Sequence, residues 1–469
     1  MNGPETFRAR ARAALADGRL RRAVLEATIE RERKRRTACA ELPDAEALRE
    51  LARRIRDHTL DHLDGYLASL IDSFRRLGVQ VHLASTAEEA NAAVVEIARQ
   101  HDCRRAVKSK SMLSEELELN EALGEAAIDV TETDLGEFLL QLDDDRPSHL
   151  TCPAVHKDVA SCADTFRRKL GAPYAEDPEA LVRIARATMR DVFRRADLAI
   201  TGANFAIAES GTIVLVMNEG NGRFCVLKPK VHVALMGIEK IVPTLKDAAV
   251  LLKLLGKSAT AQRLSVETHF LTGPKQNDER DGPEHMHVVI VDSGRSAMLG
   301  GTYREALRCI RCGACLNVCP VYRSIGGHAY GGVYPGPIGK LLSGLLEAGS
   351  GGDAATLPHA SSLCGACLEV CPVQIDIPDL LISMRADQAS RRDHRPKKTR
   401  LIRAAMLAMR SEGRYRLAQR LLRFALRLRA EDGWVRGSPT LTAGWTKAQR
   451  DLPAAPAKSF RDLWREDRI

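Results

Sequence analysis

The sequence predicts a protein built around an α/β domain with a mostly parallel sheet. A helical region precedes it, and a compact cysteine-rich domain and a basic helical tail follow. Three observations carry this reading. Between residues 79 and 292, short apolar runs alternate with amphipathic stretches of helical period. Seven of the twelve cysteines fall between Cys309 and Cys371. Residues 391–430 hold fourteen Arg/Lys against two acids, although the whole chain carries only +9, so the remainder is slightly acidic. The boundaries drawn from these shifts are 1–75, 76–295, 300–385 and 386–469.

The elements follow in order. Residues 1–75 place apolar side chains at three- and four-residue steps, as in LRELARRIRDHTLDHLDGYLASLIDSFRRLG, with Gly78 as the stop. The run RERKRR (31–36) reads as a solvated helix face, not a nucleic-acid site. VQVHLA and CRRAVKS read as strands. So do DLAITGAN, GTIVLVMNE, KVHVALMG and MHVVIVD, several of them apolar on both faces as in a covered parallel sheet. AEEANAAVVEIARQHD, PEALVRIARATMRDVFRRA and LKDAAVLLKLLGKSA read as helices between them. Ten glycines between residues 326 and 352 argue against continuous regular structure there. In RLIRAAMLAMRSEGRYRLAQRLLRFALRLR, apolar residues share one helical face and arginines cover the rest. That suits an anionic membrane surface or an acidic partner, or equally a helix packed on the protein's own core.

Composition narrows the class. No run of about 18 apolar residues exists. The first residues lack a secretory pattern. A cytoplasmic protein is expected, with thiols kept reduced and used for metal or redox work. There is no Walker loop, and GNGRFC falls short of a dinucleotide fingerprint.

The cysteines are the sharpest signal. Cys309-x2-Cys312-x2-Cys315-x3-Cys319-Pro320 has the bacterial ferredoxin spacing, in which the fourth cysteine serves the other of two clusters. A paired segment is present, Cys364-x2-Cys367-x3-Cys371-Pro372, with Ser361 where Cys309 would be. The first cluster then takes Cys309, Cys312, Cys315 and Cys371. The second takes Cys319, Cys364 and Cys367. Its fourth corner is open: Ser361 or another group completes a [4Fe–4S] centre, or the site holds [3Fe–4S]. Zinc is the competing metal, but zinc knuckles rarely need seven cysteines in this arrangement. Cys39, Cys103, Cys152, Cys162 and Cys225 are scattered and read as small apolar residues.

The α/β region offers a possible ligand pocket. KSKSMLSEE (108–116) sets Lys108 and Lys110 before a helix start, where an anion could sit or Ser111 could simply cap a surface helix. TGANFAIAESGTIVLVMNEGNGR (201–223) sets Asn204, Glu209, Ser210 and Asn218 around two strands. His149 and His156 flank Pro153 and read as structural.

These stretches together resemble one family. CIRCGACLNVCPVYR and LCGACLEVCPVQIDIP, with ETDLGEFLLQL, SHLTCPAVHKD, GNGRFCVLKPKVHVALMGIEKIVPT, GSPTLTAGW and RDLPAAPAKSFRDLW, resemble the lactate utilization protein B family over nearly the whole chain. The resemblance implies a LUD domain from about residue 70 to 295, distantly similar to NagB/RpiA isomerases and CoA-transferases. A ferredoxin-type helical domain with two [4Fe–4S] clusters follows it, on the seven cysteines named. It also implies a three-protein system oxidising L-lactate to pyruvate for growth on lactate. The partners would be an A-type cysteine-rich subunit and a C-type LUD subunit. No catalytic residue for lactate comes with it.

Three functions are therefore weighed. One is an electron-transfer subunit, inactive alone, passing electrons toward a quinone-linked or other acceptor, at the inner face of the membrane or free in the cytoplasm. The second is an isomerase or CoA-transferase-like enzyme with Glu209 as nucleophile and structural clusters. The third is a ligand-binding redox regulator.

Overall fold

Six parallel strands form the largest sheet. The structure, a computed structural model, describes residues 6–346, 355–391, 396–436 and 451–466, the side chains of 391–401 aside. The chain divides into two compact units, Met1–Gln388 and Ala389–Ile469. In the first, the strands in chain order are β1 (Gln80–Ala84), β2 (Arg105–Lys108), β3 (Asp129–Glu132), β4 (Leu198–Gly202), β5 (Phe205–Ile207), β6 (Thr212–Met217), β7 (Val231–Gly237), β8 (Ile241–Val242), β9 (Glu267–Leu271) and β10 (His285–Val291). The parallel sheet runs β1-β10-β7-β4-β2-β3. In it β7 pairs with β4 (His232 beside Ala199) and with β10 (Ala234 beside Val288).

The apolar runs are explained by this placement. Every residue of β7 is buried. On one face Val231, Val233 and Leu235 meet the helices Ala87–Gln100 and Leu119–Glu125. On the other, Ala234 and Met236 meet the helix Leu63–Arg76. A strand covered on both faces needs no polar alternation. β3 lies outside β2, whereas β4, β7 and β10 step the other way. The strand order thus reverses between β2 and β4, where a crevice opens at the carboxyl ends.

One expectation needs correction. GTIVLVMNE reads as another covered strand of the parallel sheet. As β6 it instead joins a separate four-stranded sheet, β8-β5-β6-β9, antiparallel to both β5 and β9. Its partners span two to five residues and carry little periodic signal.

The N-terminal region is helical, as read: Phe7–Ala16, Gly18–Ala40, Ala45–Asp61 and Leu63–Arg76. Asp17 breaks the first from the second, its carboxylate capping the N–H groups of Arg19 and Leu20 at 2.9 Å. The cysteine region is a set of short helices, among them Ala314–Val318, Pro320–Ile325, Ala366–Glu369 and Ile377–Arg391. Its apolar residues share one core with the N-terminal helices and the small sheet. Regular structure does enter the glycine-rich interval, as the helix Gly336–Leu345. There a Cβ on Gly339 would overlap the Tyr334 carbonyl oxygen.

The second unit holds the helices Pro396–Met409 and Glu412–Leu428. A short antiparallel pair, β11 (Trp434–Val435) with β12 (Leu452–Pro453), and the helix Phe460–Arg465 follow. The GSPTLTAGW stretch lies outside the described residues. Among the described residues no helix is long and apolar enough to cross a membrane.

Candidate functional site

The two cysteine segments fold as structural repeats. Gly313 and Gly365 both take left-handed backbone, at φ 75° and 84°. Two residues earlier, Arg311 and Leu363 do the same at 58° and 56°, uncommon for side-chain-bearing residues. The bend turns each loop into a short helix. It also aims a backbone N–H back at the side chain two residues upstream: Arg311 N–H donates to Cys309 Sγ at 3.4 Å, and Leu363 N–H to Ser361 Oγ at 3.2 Å. Ser361 therefore sits in the second loop as Cys309 sits in the first.

The thiols gather in two places. Cys309, Cys312, Cys315 and Cys371 line one small cavity with Leu150, Ile338, Ile375 and Ile377. The Ile375 N–H donates to Cys371 Sγ at 3.3 Å. Among the described residues, the only group of three or more metal-binding side chains whose ligand atoms all lie within 4.8 Å of one another is Asp145, His156 and His328. No thiol set is that tight. A mononuclear zinc site, with Zn–S near ~2.3 Å, needs its sulfurs closer than this; a cubane holds them at its outer corners. Burial pushes the thiols of Cys312 and Cys315 well up and that of Cys371 to about 11. Ionised sulfur here needs a bound cationic metal.

The second place has its own mark. Cys319 is buried, Cys367 half-buried and Cys364 exposed. Beside them Lys340 is fully buried, with Cys319 Sγ 4.0 Å from its Nζ and the Tyr330 ring centroid at 5.8 Å. The buried Tyr330 hydroxyl has no hydrogen-bond partner among the described residues. A buried ammonium whose acceptor is a long contact to thiol sulfur, and a buried phenol without an acceptor there, are costly. An anionic iron–sulfur group on Cys319, Cys364 and Cys367 would offset the one and accept from the other, so these residues fit such a group.

A cavity of about 260 Å³ opens at the carboxyl ends of β2, β4 and β7, against the first cysteine loop. A buried ion-pair ring joins it to that loop. Arg295 holds Glu116 through both carboxylate oxygens (2.9 and 2.8 Å) and Glu239 through Nε (2.8 Å). Arg311 lies 3.6 Å from Glu239 and covers the Tyr334 ring at 4.8 Å. The Tyr334 hydroxyl donates to Glu116 at 2.6 Å, closing the circuit. Burial would raise the Glu239 carboxyl, but Arg295, Lys240 and Arg311 bring it down to about 2. Arg56, also buried, donates to the carbonyls of Glu239, Ile241 and Leu307, tying this ring to the residues just before Cys309.

The residues singled out in the sequence fall in different places. Lys110, Asn204 and Asn218 line the cavity. Lys108 lies beneath it, bonded to Ser114, Glu115 and Glu132 at 2.7–2.9 Å. Glu209 and Ser210 are exposed in the turn between β5 and β6, and Glu209 accepts the Leu245 N–H at 2.7 Å. Ser111 caps Met112–Glu116, a buried turn and not a surface helix. His149 is buried and bonds Asn317 at 3.1 Å; His156 joins Asp145 and Ser148.

Comparison with known proteins bears on these sites. A LUD domain matches residues 67–291 and a 4Fe-4S dicluster domain residues 305–375. Lactate utilization protein B of Shouchella clausii is 44% identical, over 98% of this chain and 96% of that one. The protein of that name from Geobacillus thermodenitrificans is 47% identical over 91% and 89%, and that from Bacillus subtilis 43% over 99% and 97%. The chain belongs to the lactate utilization protein B family. A crystal structure of a DUF162 family protein from Deinococcus radiodurans is 17% identical, covering 49% of this chain and 98% of that one at a TM-score of 0.29.

The family stretch HVALMGIEKIVPT gains a physical meaning here. Its Glu239 and Lys240 follow β7 directly and enter the cavity wall, and Arg311 reaches the same wall from inside the CIRC motif. Sequence reasoning passed over all three. The only signal was a charged pair embedded in an otherwise apolar run.

Proposed function

We propose that this chain is the iron–sulfur electron-transfer subunit of a multi-protein system that oxidises L-lactate to pyruvate. The observation that carries the reading is the four-thiol cavity, paired with a second thiol set whose Cys319 Sγ lies 4.0 Å from the buried Lys340 Nζ. Cys309, Cys312, Cys315 and Cys371 would hold one cluster. Cys319, Cys364 and Cys367 would hold the other, with Ser361 as its fourth ligand. Such clusters, when bound, pass electrons one at a time.

The chain's own residues then have defined work. With a cluster bound, Lys340 would offset its negative charge and the Tyr330 hydroxyl would be available to donate to it. Arg49 fixes the Cys371 turn by donating to the Cys371 carbonyl at 2.9 and 3.1 Å. Backbone N–H groups of Arg311 and Ile375 donate toward thiolate sulfur and hold the loops in the shape that receives the group.

Since lactate oxidation removes two electrons, this reading calls for a partner with a two-electron cofactor. The A-type and C-type lactate-utilization proteins are the proposed partners, with a quinone-linked acceptor and a cytoplasmic, peripheral location. The isomerase-like kinship of the LUD domain and the boundaries 1–75, 76–295, 300–385 and 386–469 belong to the same proposal.

The test is iron and acid-labile sulfide per chain on anaerobic protein, with electron paramagnetic resonance. About eight irons and two interacting reduced signals are expected. Zinc without iron would overturn the reading. L-lactate-dependent dye reduction should appear only when the partners are added.

A further inference from the structure

The cavity at the strand ends contains one cation that makes no ion pair among the described residues. Of the other cations in its wall, Lys110 is paired with Glu137, Arg295 with Glu116 and Glu239, and Arg311 faces Glu239. Lys240 lines the same wall, and its Nζ forms no ion pair or hydrogen bond among the described residues. Burial, with Arg311 adding to it and Glu239 opposing, lowers its pKa to about 8. Lys240 is half-buried and faces the open cavity, where an incoming anion can meet it.

Two amides complete a set of donors. Asn204 accepts the Val216 N–H and Asn218 the Val266 N–H through Oδ1, at 2.9 and 3.1 Å. Their NH2 groups have no partner among the described residues. One ammonium outside any ion pair, with two amide donors, matches a monoanion. The wall also carries the carboxylates of Asp134 and Glu219, which oppose the second charge of a phosphate dianion. A volume of 260 Å³ equals roughly nine water volumes of ~30 Å³. That admits an acid of a few carbons.

We propose that this cavity binds a small organic carboxylate, held by Lys240 and the amides of Asn204 and Asn218, and that Arg311 couples its presence to the Cys309 site. Arg311 contributes its side chain to the cavity wall and its backbone N–H to Cys309 Sγ. A bound anion beside it makes adding an electron at that site less favourable. By reciprocity, reduction weakens anion binding. This second half rests on the electron-transfer reading; the binding half does not.

The experiment uses the full chain with its iron, kept anaerobic. Lysines are reductively methylated with and without sodium L-lactate, pyruvate, acetate or phosphate at equal ionic strength, and Lys240 labelling is read by peptide mass spectrometry. Carboxylates should slow labelling of Lys240 several-fold and leave exposed lysines unchanged. By calorimetry, Lys240→Gln should bind pyruvate at least tenfold more weakly, and Lys240→Arg should retain binding. In a redox titration followed by paramagnetic resonance, pyruvate should lower the midpoint of one signal. Equal labelling with and without carboxylate overturns the site, without recourse to a variant that must fold. Better protection by phosphate than by any carboxylate overturns the ligand class. Protection without a shifted midpoint overturns the coupling alone. A chain that binds pyruvate but holds no redox-active iron upholds the site and overturns the electron-transfer reading.

Discussion

Ser361 is the residue on which the second site turns. It receives the Leu363 N–H as Cys309 receives that of Arg311, and the flanking left-handed residues match in both loops. If its oxygen ligates iron, Ser361→Ala should lower iron from about eight to about seven per chain and add a signal in the oxidised sample; Ser361→Cys should keep about eight. Unchanged iron and spectra in Ser361→Ala would remove Ser361 as a ligand.

Gly237 is a second decisive residue, because a Cβ there would overlap Glu239 Oε2 and lie 2.7 Å from Arg295 Nε. Gly237→Ala should break the Arg295–Glu239 pair. The loss of this buried charge-assisted hydrogen bond costs roughly 1.5–3 kcal/mol, visible as a lower thermal midpoint. The 4Fe-4S dicluster domain was legible because ferredoxin spacing is a local, sequential constraint. Glu239, Lys240, Arg295 and Arg311 were not, because they come from three separate segments and meet only across a crevice.

At the scale of elements, the parallel strands announced themselves through apolar runs, and the helices between them through period. The small antiparallel sheet did not. β5 and β8 are three and two residues long, and β6 looks like a parallel core strand until its partners are known. The basic helix Glu412–Leu428 was legible as amphipathic. It leaves Leu417, Leu421, Phe424 and Leu428 58–72% exposed, between arginines. An exposed apolar face with a basic rim should bind anionic lipid. The chain should co-sediment with phosphatidylglycerol vesicles and not with phosphatidylcholine. Leu421→Ser with Phe424→Ser should abolish this without altering iron content. Sedimentation that survives the double substitution would assign it to another part of the chain.

For the whole molecule, the first compact unit contains the parallel sheet, the cavity and all seven clustered cysteines. A chain ending at Gln388 should therefore keep its iron. Acid should destabilise this unit through its buried neutral histidines. His232 is buried against Thr201, whose hydroxyl it meets at 2.8 Å. Burial, with His287 adding slightly, lowers its pKa to about 3. The unfolded chain takes up that proton near pH 6.5, and the folded chain does not. Stability is thus intact above that pH and falls below it, by about 1.4 kcal/mol between pH 7.5 and 5.5 for this group. His232→Gln should reduce the acid sensitivity of urea unfolding by about that amount; an unchanged slope with pH would contradict the assignment.

Local features of the sequence alone determined the helical N-terminus, the alternation of strand and helix, the ferredoxin-type spacing within each cysteine segment and the basic amphipathic tail. Each of these is a short-range spacing or period. Only the tertiary structure decided that the sheet's carboxyl edge faces the first cysteine loop, that Glu209 lies away from the cavity, and that Lys240 lines it with no ion pair among the described residues. Those facts depend on strand order and on which segment packs over which. Charge compensation between residues dozens or hundreds of positions apart leaves no periodic trace in the chain.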